Sequence, residues 1–235
     1  MRARRIGYSL ILVMLFLFIY HAYAGELPKW FLFDRKTSLK EWQEKVFKNK
    51  VLYAVQPGEG VLVASSEKAC SGLFYRMSFS PREFPMISWQ WKVAKFPEKD
   101  SKDSVNADNE SSWIEKDDYA ARVYVIFPSL IFSKTKCIEY IWDKDLAEGT
   151  VMTSPYFRNI KLIVAESGPN LGQWVGEERN IYEDYKKVFG KPPRANVGAI
   201  ALMTDTDNTL SSAEASYKDI KVGYRDEKPE KKDIR

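Results

Sequence analysis

"ISWQWKV", residues 87–93, places Ile87, Trp89, Trp91 and Val93 on one face and Ser88, Gln90 and Lys92 on the other. A hydrophobic period of two marks a strand with one face in a core and the other in water. Outward from it, "GLFYRMSF" (72–79), "ARVYVIF" (121–127), "IEYIW" (138–142) and "KLIVAES" (161–167) read the same way. "VLYAV" (51–55), "GVLVAS" (60–65) and "VGAIALMT" (197–204) add shorter apolar runs, and "ASYKDIKV" (215–222) closes the series. Nine such segments, rich in β-branched and aromatic residues, predict an all-β fold, a β-sandwich of jelly-roll type.

One short capped helix is expected near 181–189. Asn180 can cap it, Glu183 stands at the capping-box spacing, and Tyr182, Tyr185, Val188 and Phe189 share a face. Gly190 stops it, with Pro192 and Pro193 just beyond. A second, weaker helix is expected over Ser38 to Phe47. Lys95 to Lys116 reads as a long polar loop between two strands.

The N-terminus has the architecture of a secretory signal. A basic start (Arg2, Arg4, Arg5) precedes an almost unbroken apolar stretch from Ile6 to Tyr20, and Ala22-Tyr23-Ala24 forms a small-x-small cleavage site. The apolar stretch is shorter than the ~18 residues expected of a membrane span. An uncleaved anchor is the alternative. The expected organisation is a signal peptide over 1–24, one sandwich domain over 25–224, and a charged, disordered tail over 225–235, with the product periplasmic or secreted. No transmembrane span is expected after cleavage.

Removal of the signal takes three of the 36 basic residues and none of the 32 acidic ones, leaving 33 against 32. So balanced a chain lacks the strong overall field that nucleic acid binding needs. The single histidine, His21, leaves with the signal. That removes Ser-His-Asp triads, Cys-His pairs and histidine-ligated metal sites from consideration. Any chemistry falls to carboxylates, Tyr, Lys or an oxygen-ligated metal. Cys70 and Cys137 remain, and they are expected to be unbridged thiols.

The motif order carries a resemblance. "SWQWKV", "KDDYAARVYVIF", "IEYIW", "ESGPNLGQWVGEERNIYEDYKKVFG" and "AIALMTDTDNTLSSAEASYKDI" follow one another along the chain. In this it resembles the bacterial exported family catalogued as domain of unknown function 3047, over about residues 28 to 223. The resemblance implies export and supplies no activity or catalytic residue. A looser likeness, of fold only, links the layout to jelly-roll carbohydrate-binding domains.

"AIALMTDTDNT" (199–209) also contains D-x-D-x-T after an apolar strand, as haloacid-dehalogenase-type phosphatases do. Such an enzyme needs the motif early, with further catalytic residues on later parallel strands. Here only 26 residues follow Thr209, and the alternating helix–strand pattern is missing. Two readings remain for Asp205, Asp207 and Asn208: a turn built on Asp and Asn side chains, or part of an oxygen site for calcium. No metal ligand is assigned.

Other candidate ligand-binding residues are Asp118, Arg122, Glu166, Trp174, Glu177 and Arg179. With Asp205, Asp207 and Asn208 they are expected to converge on one polar cleft walled by Trp174. Flat aromatic faces beside carboxylates, amides and guanidinium suit a sugar. The expected function is therefore non-catalytic binding of a glycan or other cell-envelope component. A carboxylate-based glycan-cleaving enzyme and a structural or protein-partner module are the alternatives. Trp89 and Trp91 are expected in the core, and Trp113 and Trp174 on the surface.

Overall fold

The computed structural model describes residues 26–99 and 117–225. The signal segment, Trp113 with most of the polar loop, and all of the charged tail except Arg225 lie outside the described residues. Among the described residues thirteen strands form two sheets, with one α-helix between β11 and β12. In chain order the strands are β1 (Lys29–Phe31), β2 (Gln43–Lys48), β3 (Leu52–Gln56), β4 (Val61–Glu67), β5 (Cys70–Phe79), β6 (Met86–Lys95) and β7 (Ala121–Phe127). They continue as β8 (Lys136–Asp143), β9 (Val151–Thr153), β10 (Ile160–Ser167), β11 (Val175–Asn180), helix α1 (Ile181–Phe189), β12 (Val197–Asp205) and β13 (Ser212–Tyr224).

The smaller sheet runs β11-β6-β13-β4-β3, with β1 added on β13, and the larger runs β2-β5-β12-β7-β8-β10-β9. The sheets pack face to face. Between them lie Leu62, Trp89, Trp91, Val93, Val123, Val125, Ile138, Tyr140, Trp142, Ile200, Leu202 and Tyr217. All nine sequence-read strands are present, and "ARVYVIF" coincides with β7 residue for residue. The alternation in "ISWQWKV" is borne out, since β6 buries Ile87, Trp89, Trp91 and Val93 and leaves the residues between them half-buried.

Helix α1 ends as expected. The Asn180 side chain accepts from the Glu183 N–H, and Gly190 takes the left-handed conformation (φ 70°) while its N–H reaches Lys186 O. The helix expected over Ser38 to Phe47 is a correction. Turns occupy 36–41, and β2 then pairs with β5 in the register Gln43↔Phe74. Pairing at a sheet edge overrides the local pattern there.

Three strands of the larger sheet, β7, β8 and β10, are buried on both faces. The outer face carries a second apolar cluster of Tyr119, Ile126, Cys137, Ile141, Met152, Ile160, Leu162 and Val164, with Leu146 and Phe157 packed against it. The connection between β8 and β10 supplies the cover. This outer face holds the candidate site.

Candidate ligand pocket on the outer face of the larger sheet

Arg122 leaves β7 on the outer face and is 3% exposed. Its Nε and Nη2 donate to the two carboxylate oxygens of Asp205 on β12 at 2.7 and 2.6 Å. Its Nη1 donates to Glu139 on β8 at 2.6 Å and stands 3.6 Å from Asp117 Oδ1, while Nη2 also donates to the Asp117 carbonyl. The three strands are neighbours, and side chains two apart on one face of a strand share a side. Thus Arg122, Glu139 and Asp205 meet because the sheet aligns them. Burial works against the guanidinium charge, and Asp205, Tyr124, Glu139 and Asp117 outweigh it, so Arg122 is held protonated more firmly than usual. Burial pushes the Asp117 carboxyl up to about 7 against the pull of Arg122, with Glu139 and Asp118 adding to the rise.

A cavity of about 100 Å³ opens beside this ion cluster. Phe74, Tyr124, Ile126, Tyr156, Ile160 and Met203 give it an apolar, largely aromatic wall. Lys48, Asp117, Arg122, Glu139, Ser154, Asp205, Asp207 and Asn208 give it polar edges. Burial pushes the Tyr124 and Tyr156 phenols up, so both hydroxyls stay neutral. The Tyr156 hydroxyl donates to Asn208 Oδ1 at 2.9 Å, fixing the amide so that its NH₂ faces the Asp117 carbonyl and Asp118.

Asp118 is fully buried and does not line this cavity. Its carboxylate accepts from the N–H groups of Asn208 and Thr209 at 3.1 and 2.6 Å and from the Thr209 hydroxyl at 2.7 Å. It therefore holds the turn between β12 and β13 from across the chain. The chain turns over 207–210, directly after Asp205 ends β12, but the turn is anchored by Asp118 and not, as the first reading had it, by Asp and Asn side chains bonding their own backbone. Asp205 is locked by arginine, which is no environment for an attacking carboxylate. Cys70, Asp205 and Asp207 present ligand atoms within 4.8 Å of one another.

The predicted site residues do not converge on one cleft. Arg122, Asp205, Asp207 and Asn208 line the pocket, with Asp118 behind the turn. Glu177 is in register with Trp89 on β11–β6, and Glu166 with Trp142 on β10–β8. Since both tryptophans face the core, these carboxylates point inward at the lateral edge of the sandwich. Arg179 is there too, donating to both Asp184 oxygens at 3.0 Å, and Asp184 also accepts from the Tyr140 hydroxyl at 2.8 Å. Burial pushes Glu177 up to about 8, and the facing Glu166 adds to it. Trp174 lies on the outer face of the smaller sheet, with the ammonium groups of Lys92 and Lys218 4.9 and 4.4 Å from its ring centre. It walls no cleft with the others. Strand parity separates these groups, and parity could not be assigned for β11 because "VGEERN" does not read as a strand.

Glu139, Tyr124, Tyr156 and Phe74 were not singled out in the sequence. The first two alternate against core residues in "IEYIW" and "ARVYVIF", so the signal was present: a carboxylate and a phenol on the face opposite the core. Trp89, Trp91 and Trp142 are all fully buried.

The fold and pocket define an all-β, two-sheet sandwich with a ligand-sized cavity on its larger sheet. The chain belongs to the family described as protein of unknown function DUF3047, whose model matches residues 40–221. No curated protein matches the sequence. Among solved structures it is similar to a family 29 carbohydrate-binding module, with 7% identity, 83% of each chain covered and a TM-score of 0.40. It is also similar to the family 11 carbohydrate-binding module from Clostridium thermocellum (12% identity, 78% of this chain and 89% of that one, TM-score 0.37). The endoglucanase cel12A from Rhodothermus marinus is a third (9% identity, 79% and 94%, TM-score 0.42). These likenesses concern the sandwich as a whole and carry nothing about the pocket.

Proposed function

We propose that this chain is an exported, non-catalytic module that binds one sugar ring of a glycan or other cell-envelope component in the pocket beside Arg122. The observation that carries the reading is the composition of that one cavity. Phe74, Tyr124 and Tyr156 offer faces for the C–H side of a pyranose, and Asp207 with the carboxylate oxygens held around Arg122 offers fixed acceptors for hydroxyls. A buried water needs about 10–15 Å³, so a cavity of about 100 Å³ exceeds what a single ordered water requires several-fold, on the scale of one small ligand rather than a chain. Excess acid around one arginine favours a neutral polyol or a cationic group over a phosphate. Calcium at Cys70, Asp205 and Asp207 is not required by this reading.

A panel of neutral, amino and acidic sugars titrated by calorimetry against the exported protein tests it. Saturable binding of a neutral or amino sugar, lost in Tyr156→Ala, is the expected result. Binding confined to phosphorylated sugars would contradict it.

One observation favours a second reading. Asp117, whose carboxyl burial raises to about 7, lines the pocket 3.6 Å from Arg122 Nη1 and so has the protonation a general acid needs. Release of reducing ends from a bound oligosaccharide, abolished in Asp117→Asn with binding intact, would establish cleavage and remove the word non-catalytic.

A further inference from the structure

At the end of the sandwich where β7 finishes and β8 begins, an open groove of about 890 Å³ is lined by Lys134, Lys136, Arg158, Lys191 and Arg194, and by no carboxylate. None of the ion pairs formed among the described residues includes any of these five. In a chain whose charges nearly balance, such a concentration is a local excess. The crowding registers on Lys136, whose ammonium is pushed down by partial burial and by Lys191 and Lys161.

A second feature adjoins it. The loop leaving β7 turns Phe132 inward to stack on Phe157, with ring centres 5.7 Å apart. Leu130 and Ile131 are thereby left 81% and 53% exposed beside Lys134. A Ser129 N–H to Thr135 Oγ1 bond and a Lys134 N–H to Ile131 carbonyl bond close the loop, so the aliphatic pair is presented on a fixed tip. No described helix is long and apolar enough to cross a membrane.

We propose that this end of the molecule docks on an anionic phospholipid surface, with Leu130 and Ile131 entering the headgroup region and the five cations meeting lipid phosphates. Unpaired cations alone would suit any polyanion. Two aliphatic side chains at the tip among them decide for a bilayer, since an acidic polysaccharide offers nothing apolar for them to enter. Basic residues next to an anionic leaflet each contribute about 1 kcal/mol, and the attraction is screened by salt. The proposal is independent of the sugar pocket. Peripheral docking of this kind would place the pocket at a fixed face relative to the membrane.

The test is sedimentation of the exported protein, its mass checked to exclude a retained signal, with vesicles of phosphatidylcholine alone or mixed with phosphatidylglycerol. Binding to the mixed vesicles only, weakening as salt rises, is expected. Lys134→Gln, Lys191→Gln and Arg194→Gln should each cost about five-fold in affinity, the equivalent of about 1 kcal/mol. Leu130→Ser with Ile131→Ser should reduce binding while preserving its salt dependence. All five positions are exposed, and unchanged thermal melts establish that the variants are folded. Tyr156→Ala should leave vesicle binding intact, which separates this proposal from the pocket. Equal binding to both vesicle types, no binding to either, or binding to polygalacturonate in place of vesicles would overturn it.

Discussion

Arg122 holds both oxygens of Asp205 in a side-on pair, and through it strands β7 and β12 are clamped on the face away from the core. Planar guanidinium matches carboxylate in this geometry as lysine cannot. Removing the arginine alone leaves Asp205 and Glu139 buried without their counter-charge. Arg122→Leu is expected to lower unfolding free energy by about 3–5 kcal/mol, measured by urea denaturation at neutral pH. Pairing it with Asp205→Leu should cost less than the two single changes added together. A loss under 1 kcal/mol for Arg122→Leu would mean the pair is not buried as described.

Tyr156 is the pocket residue best placed to report on ligand without unfolding the protein, being half-buried and outside the sheets. Aromatic contacts of this kind contribute about 0.5–1.5 kcal/mol beyond area burial, so Tyr156→Ala should weaken sugar binding about ten-fold. Asp118→Ala is expected to behave differently. It frees the turn that carries Asp207 and Asn208, so the melting temperature should fall along with affinity. Calorimetric titration and thermal melts of both variants separate the two outcomes.

The described residues contain no histidine, so a stability change between pH 5 and 7 falls to displaced carboxyls, and Lys45, lowered by burial to about 8, works against them only at the alkaline end. Glu177 is raised from 4.5 to about 8 by burial and by Glu166. A carboxyl whose folded value lies above its unfolded one binds more protons when folded, so stability falls as pH rises through that interval. Asp117, raised to about 7, acts in the same direction. The melting temperature is expected to decline from pH 5 to pH 7, and Glu177→Gln, which cannot ionise, should flatten the decline. An unchanged slope in the variant would remove Glu177 from the account.

Gly198 on β12 faces Pro128, and a Cβ placed there would lie 2.5 Å from the proline Cγ and 2.7 Å from its Cδ. A proline ring cannot swing aside, so the backbone has to move. Gly198→Ala should destabilise by about 1–3 kcal/mol, read from denaturant midpoints. A neutral result would show the β7 exit loop to be loosely held.

Cys70 and Cys137 are free thiols, with burial pushing both up and away from reactivity. They sit on β5 and β8, separated by β12 and β7, so about three strand spacings of 4.7–4.9 Å lie between them, beyond the reach of a disulfide. Thiol titration of the denatured, unreduced protein should find two reactive groups. Finding none would mean a different strand order.

Alternating hydrophobicity in β6 and apolar runs in β4, β7, β8, β10 and β12 made the sandwich legible, because a half-buried sheet imposes that pattern on any sequence. The four strands that escaped notice are short or polar edges, β1, β2, β9 and β11, whose identity rests on pairing partners remote in sequence. The site was half legible. Arg122, Asp205, Asp207 and Asn208 stood out as charges beside apolar strands, yet Glu139 and Tyr124 were hidden inside segments that read as core. Which carboxylates would meet could not be read without strand parity and sheet order. For that reason Glu166, Glu177, Arg179 and Trp174 were grouped with residues that lie on other faces. The near-neutral total charge likewise concealed the basic end around Lys136, since composition averages over a surface that the fold divides.

The most direct measurement is a crystal of the protein soaked with the tightest sugar from the calorimetric panel. One ring seated against Tyr156 and Phe74, with hydroxyls bonded to Asp207 and the carboxylate oxygens held around Arg122, is the predicted result. A ring elsewhere, on Trp174 or in the Lys136 groove with the pocket empty, would contradict the account.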